Sequence, residues 1–507
     1  MIANPSNLLA HHADRRPDSL ALEFEGRCLT WDELHRRVSV SAAALGQAGV
    51  HEGDVVGVLL HNSLWPIEIM FAVAHLGAVY MPLNWRLAGP ELRYILDHSE
   101  AKLLVTESEF QEISELGGEE KPRVVSVDPS SRWQEFEELR SAGGAVPDPA
   151  EVAQDQLARL MYTSGTTARP KGVMVTFGNI AAKNLAHIVE FGIGRYHRNL
   201  VSGPLYHTAA LDGTTTTFLE VGAPTFILRR FDVEATLAAI ERHRITHVWL
   251  APVMINAILR DPRLTEFDLS SLELLMNGGE KLPLHLIERC LSAFENAWLA
   301  DGYGMTETVS GDAYLDAHHT IEKRGSVGKP VYNAEIRIVD PFDRPVEPGV
   351  AGEIVMRGPK VCRGYFKDAE ATANAMRGGW LHTGDVGLVD EDGFLFIVDR
   401  LKDMIKTGGE NVASLEIERV VYEHPSVSDV AVVGKDDPEW LEVPVAFVVR
   451  RDETLDQADL LEFCRARLAS FKVPKEVHFV AELPRNPSGK ILKRELRDRV
   501  RGEVTSP

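Results

Sequence analysis

Tyr162-Thr163-Ser164-Gly165-Thr166-Thr167-Ala168-Arg169-Pro170-Lys171-Gly172 is a loop rich in hydroxyls and carrying one lysine, entered from the apolar run 157–161. A strand that delivers such a loop presents backbone N–H groups, hydroxyls and an ammonium to a polyanion, and glycine lets the main chain come close. The segment reads as a grip for phosphate. It is not a Walker loop, which needs lysine directly after glycine in G-x-x-x-x-G-K-[ST]. Here Lys171 follows Pro170.

Upstream of this loop, strand and helix patterns alternate, which predicts a wound α/β layer. Thr30-Trp31-Asp32-Glu33 is a capping-box start for a helix reaching about residue 46. Strands are then expected at 55–60, 79–82 and 102–105, with helices at 64–75 and 89–96. Two such layers would sandwich helices between them. Residues 115–149, rich in Glu, Gly, Ser and Pro, read as an exposed connection, and the αβ rhythm resumes through 246–250 and 272–276. From 334 the texture changes to short alternating strands at 335–339, 353–357 and 394–398, the pattern of a small β-barrel subdomain. After Asp399-Arg400-Leu401-Lys402-Asp403 an α+β stretch follows, with helices at 415–422 and 457–468 and strands at 431–433 and 445–449. The predicted fold class is α/β: a large N-terminal domain, 1–399, of two wound β-sheets with helices plus the small barrel; a hinge at 400–402; and a small mobile α+β C-terminal domain, 403–507.

The chain has 507 residues, 44% hydrophobic and 25% charged, which is ordinary for a globular enzyme and too long for one compact core. A net charge of −21 speaks against nucleic acid as a partner, and a polyanionic ligand would need local cations to hold it. Cys28, Cys290, Cys362 and Cys464 are scattered without any C-x-x-C pair, so reduced, buried thiols are expected. The N-terminus shows no secretory pattern, and the most apolar stretch, 67–83, falls short of the ~20 residues that cross a bilayer. A cytoplasmic location is expected, with no transmembrane segment.

Five further strings complete a pattern: Asn277-Gly278-Gly279-Glu280; Asp301-Gly302-Tyr303-Gly304-Met305-Thr306-Glu307; Trp380-Leu381-His382-Thr383-Gly384-Asp385; Asp399 to Asn411; and Pro484-Arg485-Asn486-Pro487-Ser488-Gly489-Lys490. With the phosphate loop they resemble the adenylate-forming superfamily of acyl-CoA synthetases, aryl-CoA ligases, luciferases and peptide-synthetase adenylation domains, on the side of the fatty-acid or medium-chain acyl-CoA ligases. That resemblance implies an enzyme that binds ATP through Thr163, Ser164, Gly165, Thr166, Thr167, Lys171, Gly278, Gly279, Glu280, Asp301, Tyr303, Asp385 and Arg400. Tyr303 would stack on adenine, Thr306 would meet the α-phosphate, and Glu307 would ligate Mg2+. Lys490 would bridge carboxylate and nucleotide, Lys402 would be the hinge, and Lys406, Gly408 and Gly409 would face CoA. Many relatives have glycine where Ala168 stands, which changes the loop tip but keeps its hydroxyls and Lys171.

Gly203-Pro204-Leu205-Tyr206-His207-Thr208-Ala209-Ala210-Leu211-Asp212-Gly213 resembles the segment whose aromatic residue gates the acid pocket, which places His207 as the gate. The acyl pocket would comprise His207, Ala209, Ala210, Gly213, Gly302, Gly304 and Met305. Amino-acid-activating relatives have aspartate after the gate, where this chain has Thr208, so an α-amino acid is disfavoured. Burial of an apolar tail, at roughly 0.8 kcal/mol per CH2, suggests a medium-chain or branched fatty acid. An aryl acid is the alternative, since small residues also admit a ring. The expected activity is an AMP-forming acyl-CoA synthetase with Mg2+, ATP and CoA. Transfer to a carrier protein, a luciferase-like oxygenase and a non-catalytic nucleotide binder are the rival readings. Nothing in the sequence sets the oligomeric state.

Overall fold

The computed structural model describes residues 4–110, 122–129, 134–163, 170–279, 282, 284–407, 410–485 and 490–501. The chain divides into two units: Met1–Ile336 with Met356–Leu381, and Arg337–Val355 with His382–Pro507.

The first unit contains two sheets. In one, the parallel strands Arg123–Ser126, Leu103–Thr106, Val55–Leu59, Val79–Pro82 and Leu157–Thr163 lie side by side, with Gln134–Glu135 at one edge and Lys171–Thr176 antiparallel at the other. In the other, Trp298–Tyr303, Leu274–Asn277, His247–Trp249, Asn199–Val201, Thr225–Ile227 and Leu20–Phe24 run parallel, and antiparallel strands close its edges. Buried on both faces, these strands carry apolar runs rather than alternation.

The helices between the sheets follow from local sequence. The Thr30 hydroxyl accepts from the Glu33 N–H at 3.2 Å while the Glu33 carboxylate accepts from the Thr30 N–H at 2.9 Å, and this capping box starts Trp31–Gln47. Leu64–His75 is apolar around its whole circumference, and all its residues but Trp65 are buried, as a helix inside a core must be. Its one carboxylate, Glu68, accepts from Arg37 at 2.7 Å and Ser41 at 2.5 Å. Leu9, Trp31 and Phe71 from the helices join Val56 and Val105 of one sheet and Val201 and Ile227 of the other in a single apolar cluster, so the helices fill the space between the sheets.

Most of a four-stranded sheet, in the order Glu335–Val339, Gly352–Arg357, Leu381–Val389, Leu395–Arg400, falls in the second unit. It stands where the sequence places the small barrel, and its residues group with those that follow Arg400. A five-stranded sheet is centred on the long hairpin Val427–Asp437 and Leu441–Arg450, with Glu476–Phe479 parallel to the second strand. Helices Ser414–Tyr422 and Gln457–Arg465 bury Ile417, Val421, Leu460 and Cys464 against it.

No described helix is long and apolar enough to cross a membrane. All four cysteines are free thiols; three are buried, but Cys28 is exposed, because it sits on the edge strand Arg27–Thr30, where only Leu29 is buried.

Candidate active site

In an open α/β sheet, ligands bind beyond the carboxyl ends of the strands. Here the strands Leu274–Asn277 and Trp298–Tyr303 pair in parallel with Asn277 opposite Asp301. Asn277 Nδ2 donates to Asp301 Oδ1 at 2.7 Å, and the buried Asn277 Oδ1 has no partner among the described residues. Beyond these ends the backbones close on one another. A Cβ on Gly302 would sit 2.3 Å from the Tyr314 ring, and one on Gly304 would sit 2.4 Å from the Gly311 nitrogen. Both positions require glycine for approach. Gly278 and Gly279 follow Asn277 at the strand mouth, and residues 302–306, Tyr303 and Met305 included, are half-buried there.

The chain then makes the tight turn Thr306–Thr308, closed by the Ser310 N–H donating to the Met305 carbonyl at 3.1 Å. Val309 and Ser310 leave it with φ of 57° and 78°. A β-branched residue there stores strain on the order of 1–3 kcal/mol, which burial of Val309 against Val173, Val175 and Cys362 offsets. The buried ion pair Lys360–Asp312, at 3.0 Å, clamps the next residues, with Thr308 donating to Asp312 and Lys360 to the Gly311 carbonyl.

Glu307 is thereby placed with only 8% exposure. The Tyr365 hydroxyl donates to its Oε1 at 2.9 Å, and the Lys171 ammonium stands 4.9 Å from the centre of the same ring. Burial and the neighbouring carboxylate push the Tyr365 phenol up, so it remains a donor. Burial and the same carboxylate push the Cys362 thiol up to about 12, which leaves it a packing residue. Lys171 lies opposite Thr163 in the antiparallel pair Leu157–Thr163 and Lys171–Thr176. The two ends of the phosphate loop thus emerge together; Ser164, Gly165, Thr166 and Thr167 lie outside the described residues, as do Glu280, Gly408 and Gly409.

Three of the residues expected to line an acid pocket, Ala209, Ala210 and Gly213, lie on an unusual element. Ala209–Thr215 is a π-helix, a rare form that is frequent at functional sites. Its one charged residue, Asp212, is fully buried and pairs with buried Arg159 at 2.6 Å. Lys183, also fully buried, donates to the Asp212 carbonyl at 2.5 Å, Asn184 at 2.6 Å and Thr216 at 2.7 Å. Burial pushes its ammonium down to about 7, against the pull of Asp212. His187, held neutral by burial, faces the Gly213 carbonyl through Nδ1 at 3.0 Å and the Gly311 carbonyl through Nε2 at 3.3 Å. The shorter contact assigns its single proton to Nδ1.

Ala209 and Ala210 share a buried cluster with Trp249, Met276 and Tyr314. His207 stacks on Trp249, with centroids 6.5 Å apart and planes 24° apart, and its Nδ1 accepts from the Ala209 N–H at 3.1 Å. A Cβ on Gly213 would make ordinary van der Waals contact with the Ser310 hydroxyl at 3.6 Å and the Met276 sulfur at 3.8 Å, so the position tolerates a methyl. The structure thus brings His207, Ala209, Ala210 and Gly213 to one wall and Gly302 to the facing strand. Trp249, Met276 and Tyr314 join them without having been singled out in the sequence, and Tyr365, equally unmarked, stands beside Glu307 and Lys171. They come from three other strands and a late loop, and only strand register reveals them.

In the second unit, Asp385 and Arg400 face each other across an antiparallel pair, Arg400 Nε lying 3.3 Å from Asp385 Oδ1. Lys402 and Lys406 are exposed, and Lys490 is half-buried.

Residues 9–366 match the family model of the AMP-binding enzymes, and residues 416–490 match that of the AMP-binding enzyme C-terminal domain. The chain belongs to the AMP-binding enzyme family. It is 42% identical over 485 residues to a feruloyl-CoA synthase from Amycolatopsis, covering 95% of this chain and 96% of that one. It is 37% identical over 500 residues to the indoleacetate–CoA ligase of Aromatoleum aromaticum, covering 98% of each. Its fold superposes with a TM-score of 0.86, at 32% identity and over 97% of this chain and 99% of the other, on the O-succinylbenzoate coenzyme A synthetase of Bacillus subtilis in complex with ATP and magnesium ion. As a member of this family the chain is an AMP-forming acid–thiol ligase, with ATP and CoA as co-substrates and Mg2+ as its metal. The donor set suits that metal: a hard cation takes carboxylate and phosphate oxygens, and Glu307 supplies the one carboxylate on this turn.

Proposed function

We propose that the enzyme activates an aromatic carboxylic acid and passes it to CoA. The observation that carries this reading is the wall built from Trp249, His207, Met276 and Tyr314 around Ala209, Ala210 and Gly213. Small residues set among aromatic faces suit a flat ring, and aromatic faces favour a ring by roughly 0.5–1.5 kcal/mol per contact beyond its area. The small residues taken alone suggest the medium-chain or branched fatty acid; the aromatic frame and the acids named for the relatives, feruloyl, indoleacetate and O-succinylbenzoate, favour the aryl acid.

In the first half-reaction a carboxylate oxygen bonds to the α-phosphorus of ATP and pyrophosphate leaves. Both reactants are anions, so neutralising charge is the main task. Lys171 and Thr163, with the loop they flank, are assigned to the β- and γ-phosphates, and Thr306 to the α-phosphate. Magnesium, held by Glu307 and phosphate oxygens, would offset the charge that develops on the leaving group. Tyr303, with Asp301, Gly278 and Gly279, is assigned to adenine, and Asp385 with Arg400 to the ribose. Lys490 would draw the carboxylate to the nucleotide. In the second half-reaction the CoA sulfur bonds to the acyl carbon and AMP leaves; Lys402 is assigned to the hinge and Lys406 to the CoA side.

The test is pyrophosphate release from MgATP with ferulate, indoleacetate, 2-succinylbenzoate and octanoate, each with and without CoA. An aromatic acid should exceed octanoate at least tenfold in kcat/KM, with CoA-dependent AMP formation. Equal or better turnover of octanoate would return the assignment to fatty acids.

A further inference from the structure

Tyr365 lies outside every motif that suggested nucleotide chemistry, yet it touches two of the residues those motifs supply. Its hydroxyl donates to Glu307 Oε1 at 2.9 Å, and its ring face lies 4.9 Å from Lys171 Nζ. We propose that Tyr365 is a positioning residue that sets the Glu307 carboxylate for the divalent cation and the Lys171 ammonium for the phosphates. The proposal rests on those assignments of Glu307 and Lys171.

The mounting of the ring is rigid. The Arg363 N–H donates to the Met174 carbonyl at 2.9 Å, the Met174 N–H to Gly364 at 2.9 Å, and the Phe366 N–H to Gly172 at 2.8 Å, so residues 363–366 run as an added strand along the one that begins with Lys171. The Cys362 N–H donates to the Glu307 carbonyl at 2.7 Å, which ties the same segment to the turn Thr306–Thr308. The Tyr365 N–H is itself taken by the Thr372 hydroxyl at 2.9 Å. A five-residue stretch, 362–366, therefore stitches the lysine-bearing strand to the glutamate-bearing turn, and Tyr365 is its fourth residue.

The chemistry suits the task. A carboxylate offers about four acceptor sites, so one hydrogen bond from the phenol fixes its rotamer and leaves oxygen lone pairs for a cation. A lysine over an aromatic face is held without losing its charge or its three donors. Tyr365 engages the two opposite charges at different points, edge and face, so each is steadied without being neutralised by the other.

The test uses the full chain and two variants, Tyr365→Phe and Tyr365→Ala, beside Glu307→Gln. Mn2+ affinity in the complex with a non-hydrolysable ATP analogue is read by electron paramagnetic resonance, and metal-free affinity for the analogue by calorimetry in chelator. Tyr365→Phe keeps the ring and should weaken Mn2+ binding roughly tenfold, the loss expected for a hydrogen bond to a charged group, while metal-free affinity stays within about twofold. Tyr365→Ala should also weaken metal-free binding, because Lys171 loses its support. A purely structural role would move both affinities together in Tyr365→Phe and would overturn the proposal. Unchanged Mn2+ affinity in Tyr365→Phe with a loss in Glu307→Gln overturns it as well. If Glu307→Gln also leaves Mn2+ affinity unchanged, the cation reading of Glu307 falls and takes the proposal with it.

Discussion

Gly213 and Gly302 are both assigned to the acid pocket, but they answer to different constraints. A Cβ on Gly302 would meet the Tyr314 ring at 2.3 Å, whereas one on Gly213 would meet nothing closer than the Ser310 hydroxyl at 3.6 Å. Gly302→Ala is therefore expected to cost about 1–3 kcal/mol by overpacking, visible as a lower melting temperature. Gly213→Ala should fold as the parent does and remove room from the slot. It is expected to raise KM for an indole-sized acid roughly tenfold relative to a benzoate-sized one; an equal effect on both acids would show that Gly213 does not face the substrate. Glu307, Tyr303 and Lys171 could be assigned from the sequence because each lies in a contiguous string whose parts explain one another. Trp249, Tyr314 and Tyr365 could not, because their roles arise from side chains that meet across strands, and nothing adjacent in sequence marks them.

At the scale of elements, the regular helices were readable from their period and caps: Leu64–His75 and Trp31–Gln47 begin where Ser63 and Thr30 cap them. The π-helix Ala209–Thr215 was not. It has no distinctive period, and the buried Asp212 within it is tolerable only because Arg159 and Lys183 arrive from a strand of the other sheet and a separate helix. That dependence gives a prediction. Asp212→Ala would leave a buried guanidinium without its counter-charge and should cost about 3–5 kcal/mol, read from urea unfolding. A double change, Asp212→Ala with Arg159→Met, should recover part of that loss, since a well-packed apolar pair can replace a buried ion pair. Failure to recover any would mean that Asp212 acts mainly through other partners.

For the whole molecule, chain order was legible but the grouping of strands was less so. The four-stranded sheet is interrupted in sequence by residues of the first unit, and only non-local pairing decides where it belongs. Two expectations belong to this scale. Burial pushes His247 down to about 3 and His12 to about 4, both from an ordinary 6.5. Above pH 6.5 folded and unfolded chains are alike neutral at these sites and the full contribution is present. As pH falls below 6.5 the unfolded chain takes up protons that the folded one refuses, so stability falls toward the folded values. For His247 the loss between pH 7.5 and pH 5 is about 2 kcal/mol. Urea midpoints at the two pH values measure it, and a His247→Gln variant with an undiminished pH slope would contradict the assignment. The second expectation concerns Lys490: Lys490→Ala should slow adenylate formation by orders of magnitude, on the order of the loss of a key charge-stabilising group, yet spare CoA attack on preformed adenylate. Equal loss of both steps would argue against separate roles in the two half-reactions.

The neutral imidazole of His187 touches the carbonyl of Gly213 on the acid wall and that of Gly311 just past the turn bearing Glu307. Any shift of the π-helix backbone would therefore tug on the segment that follows Glu307, the residue assigned to the cation. Side chains such as Trp249 and Met276 can therefore be exchanged to reshape the assigned acid pocket, whereas the backbone beneath them is tied through one imidazole to the segment that follows Glu307.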